Sequence, residues 1–240
     1  MNIILTIPHS STYIPENMIK DYEIAPESIL KNIDYGVDRI YEPFKYPKIV
    51  AGASRFVVDL NRKRDDLSSD QGVIIRKDWH GNNVWKKYPE DTESLLSQYY
   101  DPFYSDIDMI KPNSFVWDCH SMDSQGNKGG GDHGTIRPDI CIATGEYSLC
   151  PKEIVMKIKE LFELEGYDVK IDYPYKGLKA NIMKRVLENG SIGVEFEIAK
   201  RAYMDEDTLV LDDAKIERLR RVLNDTFDYI SSIKEDSIPS

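Results

Sequence analysis

At 240 residues, the chain lies within the range of one large α/β domain, and 31 basic against 42 acidic side chains leave a formal net charge of −11. With a sequence pI near 4.9, non-specific attraction to nucleic-acid phosphates or anionic lipid is disfavoured, so neither nucleic acid nor a membrane is expected as a partner. The opening MNIILTIP lacks the basic start and long apolar stretch of a secretory signal, and no apolar run approaches the ~20 residues of a membrane span.

Taken in chain order, short apolar runs at residues 3–7, 49–51, 56–60, 115–119, 140–144, 169–171 and 192–198 read as strands. Most carry no polar face, which suits strands buried on both sides. Between them, Ile154, Val155, Ile158, Leu161 and Phe162 recur at helical spacing, as do Ile216, Leu219, Leu223, Phe227 and Ile230 near the C-terminus. The alternation predicts a three-layer α/β fold, with helices on both faces of a mostly parallel mixed sheet, spanning 1–240 as one domain. Two polar stretches, 61–72 and the glycine-rich 124–134, read as mobile loops. Cys119, Cys141 and Cys150 make an odd count without CxxC spacing. A reducing compartment, the cytoplasm, is therefore expected; the oligomeric state is left open between a monomer and a small homo-oligomer.

Two of the four histidines stand where apolar strands should end, His9 in IILTIPHSS and His120 in FVWDCHSM, a placement from which both can serve one metal site; the alternative is a pair of hydrogen-bonded structural histidines. His80 and His133 fall in polar, glycine-containing contexts and read as exposed, His133 the nearer to the site. Glu197 lies in IGVEFEI, where an ionised carboxylate is costly unless it is paired, bound to metal or facing a cavity. Strand alternation puts Glu195 on the same face; the alternative is a solvent-facing edge strand. In SRFVVDLNR, Arg55, Val57, Asp59 and Asn61 would share one face of a strand. Arg62 can grip a carboxylate through two parallel hydrogen bonds. An internal Arg55 to Asp59 ion pair is the alternative for that segment. Asp34, in NIDYGVDRIYEPF, reads either as a helix N-cap or as a third metal ligand, and Asp118 as support for a nearby ligand or as structure alone.

Taken together, PHSS (8–11), the Asp34 segment, SRFVVDLNR (54–62), WDCHS (117–121), RPDICIATG (137–145) and VEFEIAKRAYMDE (194–206) resemble the N-formylglutamate amidohydrolase family, in matching order across nearly the whole chain. That family is similar in fold to the zinc carboxypeptidases and aspartoacylase, the phosphorylase/hydrolase-like fold of the zinc exopeptidases. The resemblance implies one zinc ion held by His9, Asp34 and His120, and cleavage of a small N-acyl amino acid such as N-formyl-L-glutamate. It makes Glu197 the base that activates water, Arg55 the oxyanion partner, Asn61 and Arg62 the substrate-carboxylate clamp, and Ser10 a further substrate-binding residue. The HxxE spacing of the carboxypeptidases is missing, since Thr12 follows His9 at that step, and Asp34 takes the third-ligand role. Two departures bear on specificity. YKGLKANIMKR (175–185) stands in place of a glycine-rich FKGGY-like segment, and Glu195 stands where glutamine is common. An aspartoacylase-like or carboxypeptidase-like amidase with another substrate, or a non-catalytic metal or acidic-metabolite binding domain, are the rival readings.

Overall fold

A computed structural model describes residues 1–127, 131–177 and 181–234. The strands of its main sheet are β1 (Asn2–Ile7), β2 (Lys48–Val50), β3 (Ser114–Met122), β4 (Ile140–Ala143), β5 (Val169–Ile171) and β6 (Ile192–Ala199), and Met204–Asp205 pairs with Val210–Leu211 in a separate small antiparallel ribbon. Its α-helices are α1 (Glu16–Ile19), α2 (Pro26–Lys31), α3 (Val37–Tyr41), α4 (Thr92–Leu95), α5 (Asp101–Asp108), α6 (Lys152–Leu164), α7 (Asn181–Glu188) and α8 (Asp213–Ser232). The six strands form one sheet in the order β2-β1-β3-β6-β4-β5. The first four of that order run parallel, while β4 meets β6 antiparallel and carries β5 parallel to itself. This is the expected three-layer α/β architecture with a mostly parallel, mixed sheet.

Strand alternation divides the core in two. One face presents Ile3, Leu5, Ile7, Phe115, Trp117, Cys119, Val194, Phe196 and Ile198, covered by Ile154, Ile158 and Phe162 of α6 and by Leu219, Leu223 and Phe227 of α8. The Trp117 ring lies 4.3 Å from Phe196 at a tilt and meets Phe227 edge-on at 5.2 Å. Its indole N–H donates to the Tyr41 hydroxyl at 3.0 Å, so the buried donor is satisfied.

The opposite face starts apolar, with Ile4 and Val116 packed under Ile182, Met183 and Val186 of α7 and Phe103 and Ile107 of α5. Gly193 permits that packing: a Cβ there would stand 2.0 Å from the Val116 carbonyl oxygen and 3.0 Å from the Met183 Cε. Toward the strands' carboxyl ends the same face turns polar, with Thr6, Asp118, His120, Glu195 and Glu197 all buried. The site grows from this change along a single face.

Most predicted strands differ from the observed ones only at their ends. β3 runs on through His120 to Met122 because β6 pairs with it as far as Ala199. The run 56–60 is not a strand: the Ser54 carbonyl accepts from the N–H groups of Val57 at 2.8 Å and Val58 at 3.3 Å, closing a turn. Phe56, Val57, Val58 and Leu60 are all buried, so the segment has no solvent face and the expected alternation of Arg55, Val57, Asp59 and Asn61 does not arise. Nor is β6 a solvent-facing edge, since it lies between β3 and β4. The predicted loop 61–72 forms turns pinned by hydrogen bonds such as Val73 N–H to the Asp66 carbonyl at 2.9 Å. Part of the predicted loop 124–134 and of the 175–185 segment, residues 128–130 and 178–180, lies outside the described residues. Cys119, Cys141 and Cys150 are buried and unpaired. Among the described residues, no helix is long and apolar enough to cross a membrane.

Candidate active site

His9 stands two residues past the last residue of β1. Asp34 follows from the loop before α3. Its N–H donates to the His9 carbonyl at 3.0 Å, and its own carbonyl accepts from Val37 at 3.1 Å. Gly36, at φ +83°, takes the left-handed N-cap position of α3. Asp34 therefore does not cap that helix, and its carboxylate is directed into the site, where Oδ1 accepts from the Ser121 hydroxyl at 3.0 Å.

His9, Asp34 and His120, all buried, form the group among the described residues that could hold a metal ion, their ligand atoms lying within 4.8 Å of one another. Asp34 Oδ2 is 3.6 Å from His9 Nδ1 and 3.2 Å from His120 Nδ1. Ligands bound tetrahedrally at about 2.0–2.1 Å stand about 3.3 Å apart, so this donor set fits one small divalent cation. His9 Nδ1 is also a buried nitrogen without a hydrogen-bond partner among the described residues.

A second layer of carboxylates fixes the rings. Asp59 Oδ1 lies 2.9 Å from His9 Nε2, and Asp118 Oδ2 lies 3.1 Å from His120 Nε2, so each imidazole is held at one nitrogen and turns the other toward Asp34. The Asp118 contact is an ion-pair approach without hydrogen-bond alignment. Thr6 donates to the other oxygen of Asp118 at 2.6 Å. Asp59 also accepts from Arg55 Nη2 at 2.6 Å and from the Asn61 N–H at 3.0 Å. The Arg55–Asp59 ion pair is therefore present, and it serves His9.

Electrostatics follow from this crowding. Burial opposes the Asp34 charge, but hydrogen bonds from His120 and His9 hold its carboxyl well below the usual range. Burial likewise disfavours a charged His120, yet Asp118 and Asp34 keep its proton affinity well above that of a free imidazole. Asp59, opposed by burial, is held low by Arg55, Arg62 and His9. Burial pushes Glu197 well above the ordinary carboxylate range; His120 opposes this, and Glu195 and Asp34 reinforce it. Each glutamate keeps one buried oxygen without a hydrogen-bond partner among the described residues.

The remaining predicted residues come from β6, from the residue after His9 and from the 55–62 segment. Glu197 is the register partner of His120. Arg55 leaves its Nε without a hydrogen-bond partner, and its Nη2 is committed to Asp59. Asn61 is buried and accepts from the Ile182 N–H at 3.3 Å. Arg62 is fixed by donating from Nε to the Gln71 carbonyl and from Nη1 to the Asn61 carbonyl, each at 2.9 Å, and its charge acts on both Asp59 and Glu195. Ser10 is buried directly after His9. His80 and His133 are exposed, and neither belongs to the His9–Asp34–His120 group.

Sequence reasoning missed the service of Asp59 to His9 and of Ser121 to Asp34. Both lay inside quoted motifs: Asp59 reads there as the partner of Arg55 alone, and the half-buried Ser121 follows His120 directly. It also missed Asn181, whose Nδ2 donates to the hydroxyls of Tyr100 at 3.0 Å and Tyr104 at 2.6 Å. Those hydroxyls in turn donate to the carbonyls of Arg62 and Leu60, bracing the 60–62 segment.

A mostly parallel α/β sheet with a buried His–Asp–His group and a glutamate at the carboxyl ends of its central strands defines an α/β protein with a candidate metal-assisted hydrolytic centre. Residues 1–204 match the N-formylglutamate amidohydrolase family, and the chain belongs to that family. Among solved structures it is similar to N-formylglutamate amidohydrolase from Ralstonia eutropha JMP134, with a TM-score of 0.76, 17% identity and coverage of 97% of this chain and 95% of that one. It is also similar to gene product Atu2144 from Agrobacterium tumefaciens, with a TM-score of 0.70, 18% identity and coverage of 96% and 92%. No curated protein matches the chain.

Proposed function

We propose that the chain acts, as a single domain, as a zinc-dependent amidohydrolase that cleaves a small N-acyl amino acid, with N-formyl-L-glutamate the leading substrate. The observation that carries this reading is the pairing of a buried His9–Asp34–His120 group with Glu197 beside His120 on the neighbouring strand. Membership of the family supports it.

Two imidazoles and one carboxylate suit zinc by ligand type, and when bound such an ion lowers the pKa of a water molecule and polarises an acyl carbonyl. The chain's own residues supply the rest. Asn61 and Arg62 hold the substrate carboxylate and so fix the amide relative to Glu197. Arg62 is already braced by its bonds to main-chain carbonyls, which lowers the ordering cost of binding. Glu197, given high proton affinity by burial and by Glu195, accepts the proton of the attacking water. Arg55 donates from Nε to the oxyanion of the tetrahedral intermediate, while its other end stays anchored on Asp59. Glu197 then returns its proton to the amide nitrogen as the C–N bond breaks. Formate, or another small acid, and a free amino acid leave.

A panel of N-formyl and N-acetyl amino acids, followed by release of the acid, tests the reading. Turnover of N-formyl amino acids ahead of N-acetyl ones supports it. Cleavage of dipeptides in preference to every acyl amino acid would replace it with a peptidase.

A further inference from the structure

Arg137 is 3% exposed and has no part in the chemistry above. Its Nε and Nη2 donate to the two oxygens of Asp132 at 2.7 and 3.1 Å, the two-bond grip of a guanidinium on a carboxylate, and Nη1 donates to the Asp123 carbonyl at 3.3 Å. Its neighbourhood reaches the proposed base. The Tyr175 ring lies 5.3 Å from Arg137 Cζ, the Tyr175 carbonyl accepts from the Cys141 thiol at 3.4 Å, and Cys141 is the β4 register partner of Glu197. Arg137 thus approaches Glu197 from the β4 side, whereas His120 flanks it from the β3 side. The charges agree with this placement: burial raises Glu197, and Arg137 is among the groups that pull it back.

Asp132 is held in place by a built loop. Gly134 N–H donates to the Gly126 carbonyl at 2.8 Å, Gly126 N–H donates to the Thr135 carbonyl at 2.9 Å, and a Cβ on Gly126 would stand 2.0 Å from the Asp132 carbonyl oxygen. Yet of residues 131–136 only Asp132 is not exposed, so Asp132 is the only member of that stretch turned inward. A buried guanidinium without a counter-ion is costly, so this fork needs a carboxylate at all times. Exchanging one carboxylate for another costs little.

We infer that Arg137 is the residue that selects an acidic side chain, and that Asp132 stands in for the substrate's second carboxylate until an N-acyl amino dicarboxylic acid displaces it. The inference rests on the amidase reading for the position of the scissile amide, and its test needs no turnover. Binding of glutarate and of pentanoate, the monocarboxylate of the same chain length, is measured by calorimetry on the full chain, on Arg137→Gln and on Asp132→Asn. The unsubstituted chain should favour glutarate by roughly 10- to 100-fold, less than the full effect of a buried charge pair because Asp132 must first be displaced. Arg137→Gln should bring glutarate down to the pentanoate level and leave pentanoate unchanged, while Asp132→Asn should tighten glutarate alone. Equal losses for both ligands in Arg137→Gln mark a structural role and overturn the inference, as does an undiminished glutarate preference. Should Arg137→Gln fail to fold, unchanged or weaker glutarate binding by Asp132→Asn overturns it. A chain that prefers glutarate through Arg137 yet releases no formate from any acyl amino acid refutes the deformylase reading and keeps the subsite.

Discussion

His120 and Glu197 are register partners on adjacent parallel strands, and two residues earlier along the same strands Asp118 pairs with Glu195. A proposed metal ligand and the proposed base are thereby placed by sheet register, the most rigid positioning this fold offers, because a one-residue slip of either strand would turn its side chain to the opposite face and separate the two. Glu197→Gln keeps the shape and removes the proton acceptor. Zinc binding should stay at one equivalent while turnover falls roughly a hundredfold or more; steady-state kinetics beside metal analysis checks both, and full turnover would take Glu197 out of the mechanism.

Asp59 joins Arg55 to His9. Replacing it by Asn keeps a hydrogen-bonding group of the same size but removes the charge that orients the ring, and should weaken metal affinity by about 10- to 100-fold in a competition titration with a chelator. Asp59→Ala should do more, because Arg55 is 8% exposed and would be left as an uncompensated buried cation. A loss of about 3–5 kcal/mol in urea unfolding is expected. Unfolding that matches the unsubstituted chain would mean that the pair is not load-sharing.

Arg62→Ala should raise KM strongly while changing kcat little, since the clamp holds substrate carboxylate equally in ground and transition states. Kinetics on N-formyl-L-glutamate decides it. A fall confined to kcat would contradict the clamp.

Glu197 must be ionised to accept a proton, so kcat/KM should fall as pH drops through its pKa, and burial places that limb above the ordinary carboxylate range. Glu195 adds a negative charge that raises the limb further. Glu195→Gln should therefore move the acid limb to lower pH, leaving activity higher in acid than in the unsubstituted chain. A limb that stays in place or moves upward would separate Glu195 from Glu197.

Much of this arrangement is legible in the residues. The apolar runs of β1, β3 and β6 are nearly continuous because both faces of the sheet are covered, and the polar interruptions, His9, His120 and Glu197, mark where that cover gives way to the site. SRFVVDLNR misleads because Phe56, Val57 and Val58 are all buried in a turn, and three consecutive apolar residues buried around a turn read as a strand. Asp34 was ambiguous because capping and ligand roles ask for the same short acid; Gly36, able to take positive φ, resolves it by occupying the N-cap. The second layer was hidden for another reason. Asp59 lies fifty positions from His9, and only the folded chain brings them to 2.9 Å.

Formate release from N-formyl-L-glutamate by metal-depleted protein, with and without one equivalent of zinc, tests the central claim most directly. The arrangement of His9, Asp34, His120 and Glu197 predicts negligible release without metal and recovery at one zinc per chain. Release that proceeds undiminished after complete metal removal would contradict it.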